Sequence, residues 1–177
     1  FKAMLCSPRF LMAPGEHANL SYSKAANLAR IFWLSVPDEK LVDFARANNI
    51  TSNSLPQIID HMIEDPRSSR MIHSLCQQWL ELRTFDQVAP SLKLYPTYNT
   101  LLNHYLPIET ETYLGYLIKS NLSVDYLIDS NFSILNQRLA QHYGIDGVIG
   151  QEMRKVSFSP EVPRGGLLTI GSILKVT

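Results

Sequence analysis

The sequence predicts an all-α protein, a multi-helix bundle of about seven to nine helices that ends in a short irregular or extended C-terminal segment. Three observations predict it. Apolar residues recur at three- and four-residue spacings along most of the chain, which builds one apolar face per helix. Serine, asparagine and aspartate repeatedly precede these runs, often beside a proline, as helix starts require. Extended patterning is confined to the stretch after Gly150.

The elements follow in chain order. Ala3 to Leu11 reads as a short apolar helix closed by Pro14-Gly15. Ser21 or Ser23 caps the next helix, in which Leu28, Ile31, Phe32 and Leu34 make one face. Val36-Pro37-Asp38-Glu39 is a break and a restart, with acids placed where the helix dipole is positive. That helix continues through Leu41, Phe44 and Ala45 and ends at Asn48-Asn49. Ser54 caps a helix beginning at Leu55-Pro56, and Asp65-Pro66 repeats the device before a helix reaching Leu82.

The chain is irregular from Ala89-Pro90 to Asn99, and a long helix then runs from Thr100 to Ser120. Pro107 inside it is expected to kink or split it, because proline lacks the N–H and crowds the preceding turn. Ser123 caps a short helix through Tyr126, Leu127 and Ile128, and Ser133 caps another that ends at Tyr143-Gly144. Arg154 to Phe158 reads as a short strand or extended segment.

Composition excludes several classes. A chain of 177 residues fits one domain, or one domain with part of a second, and its 45% apolar content supports a core without disulfide staples. Sixteen basic residues balance sixteen acidic ones, which argues against a nucleic-acid groove or an anionic-membrane patch. No apolar run approaches the ~18 residues of a membrane span. The opening Phe1-Lys2-Ala3-Met4-Leu5 and the apolar Gly165 to Ile170 near the other end read as those of a fragment of a longer protein.

The residues that carry chemistry are few. Cys6 and Cys76 belong to no C-x-x-C or C-x-x-C-H pattern, so they read as buried structural thiols, with a mutual bridge or a reactive site as the alternative. No covalent haem, other cofactor or metal is expected in this stretch. His61 and Glu64 have a spacing at which two ligands could share a metal, but no second pair accompanies them. Glu109 and Glu111, two apart on a helix, point in different directions, so one of them is expected in a buried polar network, with acid–base work as the alternative. No serine-nucleophile elbow occurs, and Gly165-Gly166 is too short for a phosphate loop. The sequons at Asn19, Asn49, Asn121 and Asn131 read as caps and turns. Asn136, Arg138, His142 and Tyr143 make the densest polar group on one helix; Arg138 is expected to tie that helix to Asp129 or to exposed carbonyls, with an anion or carbohydrate contact as the alternative.

Several segments taken together resemble a known family. They are Ser7-Pro8-Arg9-Phe10-Leu11, the run from Leu20-Ser21 through Leu28-Ala29-Arg30 to Val36-Pro37-Asp38, Asp65-Pro66-Arg67, Gln78-Trp79-Leu80-Glu81-Leu82, and Glu109-Thr110-Glu111. The stretch from Asn131 to Ile145 and Arg164-Gly165-Gly166-Leu167-Leu168-Thr169 complete the set. In this order they resemble domain of unknown function 1592, over residues 1–128, followed by the truncated start of domain of unknown function 1588 at 129–177. Residues 1–12 resemble the end of a preceding helical segment. The sequence departs from the family pattern by loss of charge at Asn131, Gln137, Gln141 and Asn121-Leu122.

The resemblance implies a context. Such domains occur in large exported proteins of planctomycete type, often with a cytochrome c-like domain that holds haem elsewhere in the chain. The expectation is therefore a helical accessory or interaction domain, periplasmic or extracellular, whose partners are other domains of the same polypeptide and a redox protein. Trp33, Trp79, Tyr95, Tyr98 and Tyr105 are expected to pack those neighbours. The alternative is part of a polysaccharide-active or redox enzyme. Its catalytic candidates are Glu109, Glu111 and His142, and its binding candidates are Asn136, Arg138 and Arg164.

Overall fold

The computed structural model describes residues 20–159 and 161–177. The helix expected at Ala3 to Leu11, with Cys6, His17 and the sequon at Asn19, lies outside the described residues. The chain divides into two compact units, residues 1–71 and 72–177.

The first unit contains α1 (Leu20–Trp33), α2 (Glu39–Arg46), α3 (Leu55–Glu64) and a 3-10 turn at Pro66–Ser68. Its core joins Ala25, Ala29 and Trp33 of α1 to Leu41 and Ala45 of α2, with Ile50, Ile58 and Met62. The i, i+4 row Ala25, Ala29, Trp33 is therefore the inward face of α1, while Ile31 and Leu34 are exposed. Of the expected face, Leu28 and Phe32 do pack against this core from its edge, but its centre is a row of two alanines, weak in any hydropathy pattern, and one tryptophan. Trp33 is core, not docking surface, and its indole N–H donates to the Met62 carbonyl at 3.0 Å. The described part of α1 already includes Leu20, so Ser21 and Ser23 lie inside the helix rather than before it.

The proline-bearing junctions of this unit are built as polar clasps. Asp38 caps α2, its carboxylate accepting the Leu41 N–H at 2.9 Å. Ser54, by contrast, turns its hydroxyl back to the Asn49 carbonyl and the Thr51 N–H, so α3 starts without a side-chain cap. Asp65 accepts the Arg67 N–H at 2.8 Å, and the Arg67 guanidinium then closes the structure. It donates to Asp65 through Nε and Nη2 at 2.8 and 2.7 Å and to Asp38 at 2.9 Å. Its Cζ lies over the Trp33 ring, 3.5 Å from the centroid. One arginine thus joins the start of α2, the end of α3 and the central indole. His61 stands edge-on to the same indole at 6.2 Å.

The Arg67 bonds hold the Asp65 carboxyl down at about 2. A carboxyl lowered in the folded state adds stability above its unfolded pKa and loses it as pH falls through the folded one. The wild-type chain is expected to lose melting temperature between about pH 4 and pH 2 by more than the Asp65→Asn variant does. Calorimetric scans over that range check it, and parallel curves would show that the clasp adds nothing.

The division between the units falls within α4 (Ser69–Trp79). The second unit continues with a 3-10 segment at Leu82–Gln87, α5 (Thr100–Lys119), a 3-10 turn at Val124–Leu127, β1 (Phe132–Leu135) and α6 (Gln137–Tyr143). β2 (Arg154–Ser157), a 3-10 turn at Leu167–Thr169 and α7 (Gly171–Val176) complete it. Asn99 caps α5 through the Leu102 N–H at 2.9 Å, and the helix runs unbroken through Pro107. The one helical bond that proline cannot donate is absorbed within twenty residues, so the expected split does not occur.

The fold is mainly helical, yet not all-α. Phe132-Ser133-Ile134-Leu135 forms a strand where a helix capped by Ser133 was expected. It pairs antiparallel with β2, Phe132 opposite Ser157 and Leu135 opposite Arg154. All four β1 residues are buried, and a short run buried on both faces carries no alternation to distinguish strand from helix. The helix start moves to Asn136, whose side-chain oxygen accepts the Leu139 N–H at 3.0 Å. The core of this unit gathers Phe85, Leu102, Leu106, Leu135 and Leu139 beneath Tyr98, Tyr105 and Tyr143.

Candidate functional site

The second unit is organised around a buried acid. Glu109, near the middle of α5, is 1% exposed. Ser133 of β1 donates its hydroxyl to one carboxyl oxygen at 3.0 Å, and Tyr143 at the end of α6 donates to the other at 2.6 Å. The Tyr143 hydroxyl in turn accepts the Gly171 N–H of α7 at 3.0 Å. Beside Glu109, the Thr110 hydroxyl is bonded to that of Ser172. Burial pushes the Glu109 carboxyl up to about 7, against the two donated hydroxyls and the charge of Arg164. Burial and the neighbouring Glu109 push the Tyr143 phenol up as well.

Arg164 reaches this network from the Arg164-Gly165-Gly166 segment. Its guanidinium lies 3.6 Å from the Tyr143 ring centroid and donates to the Thr169 carbonyl. The two glycines explain how the segment can run where it does. A Cβ on Gly165 would fall 1.9 Å from the Ser130 carbonyl oxygen, and one on Gly166 would fall 2.4 Å from that of Ile128. Gly166 also has a φ of 71° and donates its N–H to the Ser130 hydroxyl at 3.1 Å. This pair is a close backbone crossing, not a phosphate cradle.

Tyr143 and Arg164 line a cleft of about 280 Å3 together with Tyr95, Tyr98, His142 and Lys175. The Lys175 ammonium sits 3.6 Å from the Phe85 ring centroid and donates to Asn103 at 2.8 Å. Burial lowers its pKa, opposed by the charge of Asp86. Burial also lowers that of His142, and Arg138 and Arg164 add to the effect.

The candidates read from the sequence therefore separate. His142 and Arg164 meet at the cleft, and Glu109 touches it only through Tyr143. Glu111 is bonded to His73 at 2.8 Å, and its charge adds to burial in pushing the Cys76 thiol up to about 12. Cys76 is a buried free thiol. Asn136 is a helix cap, and it donates to the Gln151 carbonyl at 3.3 Å. Arg138 donates to the Thr97 carbonyl at 2.5 Å, so it takes the backbone rather than Asp129. Lys175 and the tyrosine walls escape a reading by motif, because 72 residues separate Lys175 from the Asn103 it binds. Among the described residues no group of three His, Cys, Asp or Glu side chains comes together as a metal site.

The family model described as Protein of unknown function (DUF1592) matches residues 20–145, most of the chain. The chain belongs to this family. No curated protein and no solved structure matches it. The DUF1592 match takes in the Arg67 clasp, Glu109 and Tyr143, whereas Arg164, Lys175 and the glycine pair lie beyond it.

Two outcomes follow from this geometry. A carboxyl raised in the folded state adds stability that is full below its unfolded pKa and lost as pH rises through the folded one. Wild-type stability is expected to fall between about pH 4.5 and pH 7, a decline that Glu109→Gln abolishes. Urea unfolding across that range measures it. Gly165→Ala is expected to cost about 3 kcal/mol or more by the same measurement, because the added methyl meets backbone that cannot turn away.

Proposed function

We propose that this chain is an accessory and interaction domain of a larger exported protein that carries a cytochrome c-like domain elsewhere, with other domains of that polypeptide as its partners. The observation that carries the reading is a set of large apolar side chains left in water. Leu92 is 64% and Leu94 73% exposed in the irregular segment before α5, and Val88, Tyr95 and Trp79 are exposed as well. Covering one such leucine contributes about 1.5–3 kcal/mol, so a surface of this kind favours a neighbour. Exported context and the haem-bearing neighbour rest on the family resemblance. Among the described residues no helix is long and apolar enough to cross a membrane.

The enzymatic alternative asks Glu109, Glu111, Arg138 and His142 for one pocket. Of these only His142 lines the cleft, which favours the interaction reading.

Cross-linking mass spectrometry on the natural full-length protein tests it, together with a haem-stained gel. Lys93, between the two exposed leucines, is expected to link to lysines outside these 177 residues, and the full-length band is expected to stain. Cross-links confined to the 177 residues would overturn the interaction reading, and an unstained band would remove the cytochrome.

A further inference from the structure

We infer that the cleft of the second unit binds a small ring-bearing carboxylate, held by Arg164 and Lys175 between tyrosine faces. The inference rests on the cleft; Val88 and Tyr95 on its rim also belong to the exposed apolar set, whereas Arg164, Lys175, Tyr98 and Tyr143 do not.

Charge comes first. An arginine and a lysine line one cavity of about 280 Å3, and no carboxylate lies within ion-pair distance of either among the described residues. Glu109 acts on Arg164 from beyond Tyr143, and Asp86 is separated from Lys175 by Asn103, which accepts from the ammonium at 2.8 Å and donates to Asp86 at 3.1 Å. Bringing two cations to one partly buried cavity without a paired anion is costly, and an anionic ligand removes that cost.

The walls decide what the rest of the ligand is. The Arg164 Cζ lies over the Tyr143 ring, and Lys175 lies over Phe85 at 3.6 Å and near Tyr98 at 5.4 Å. Both cations are thus held in place by rings, while Tyr95 and Leu106 add apolar surface. A flat ring is the shape such walls cover well.

The donors decide the anion. One Arg164 nitrogen is committed to the Thr169 carbonyl, the Lys175 ammonium donates to Asn103, and the Tyr143 hydroxyl is committed to Glu109. What is left suits the two oxygens of a carboxylate. A phosphate dianion needs more donors than these to leave water.

The test is an NMR titration of the 177-residue chain with sodium benzoate. Benzoate is expected to shift the ring signals of Tyr98 and Tyr143 and the side-chain signals of Arg164 and Lys175. Lys175→Gln and Arg164→Gln are each expected to weaken binding about tenfold, the worth of one charge-assisted bond. Arg154→Gln, on exposed β2, serves as the control and leaves binding unchanged. If Arg164→Gln disturbs the fold, Lys175→Gln still carries the comparison. No shift at these residues up to about 10 mM benzoate overturns the inference. So does benzamide binding as tightly as benzoate, which removes the charge, or acetate doing so, which removes the ring. Glucuronate beside benzoate separates a sugar acid from an aromatic acid, and either binding more tightly supports the shared chemistry.

Discussion

The second unit depends on how a buried acid is kept from water. Glu109 projects from the longest helix into a space where an unpaired carboxyl would be prohibitive, and hydroxyls from a strand and from a second helix satisfy it. Tyr143 then passes the connection on, accepting an amide from α7 and carrying the Arg164 guanidinium on its ring. Four elements and the glycine crossing are therefore referred to one carboxyl group. Hydrogen bonds impose directions that hydrophobic contact does not, so this network specifies where β1, α6 and α7 stand against α5.

The first unit solves the same kind of problem with the opposite sign. Arg67 is the shared group, two aspartates are its partners, and an indole replaces the phenol as the surface on which the guanidinium rests. Both arrangements set an arginine guanidinium over an aromatic ring at a junction rather than inside an element. The difference lies in depth. The Arg67 clasp stays partly in water and both aspartates remain ionised, whereas Glu109 is enclosed and moves toward neutrality.

Legibility in the sequence followed the range of the interaction. Asp38 before α2, Asn99 before α5, Ser123 before its 3-10 turn and Asp65-Pro66 all act on the next few residues, and their places could be read directly. The resemblance pointed to the family over most of the chain. Ser133 is the instructive failure. As a serine before an apolar run it looks like a cap, yet its hydroxyl serves Glu109 twenty-four residues away and its backbone belongs to a strand. Glu109 was legible, with Glu111, as a candidate for a buried polar network, but its partners were not, because they lie on other elements. The cleft was least legible of all. Arg164 and His142 could be named, while Lys175 and the tyrosines join them only after the chain has folded.

The two tryptophans have a consequence of a different kind. The sequence holds only Trp33 and Trp79, and the boundary between the units places one in each. Trp33 is wholly enclosed, hydrogen-bonded and overlaid by a cation, whereas Trp79 is 54% exposed. Two indoles in such unlike surroundings emit at different wavelengths and meet soluble quenchers at different rates. The molecule therefore carries a separate optical label in each half, and the order in which its halves melt can be watched without attaching anything to it.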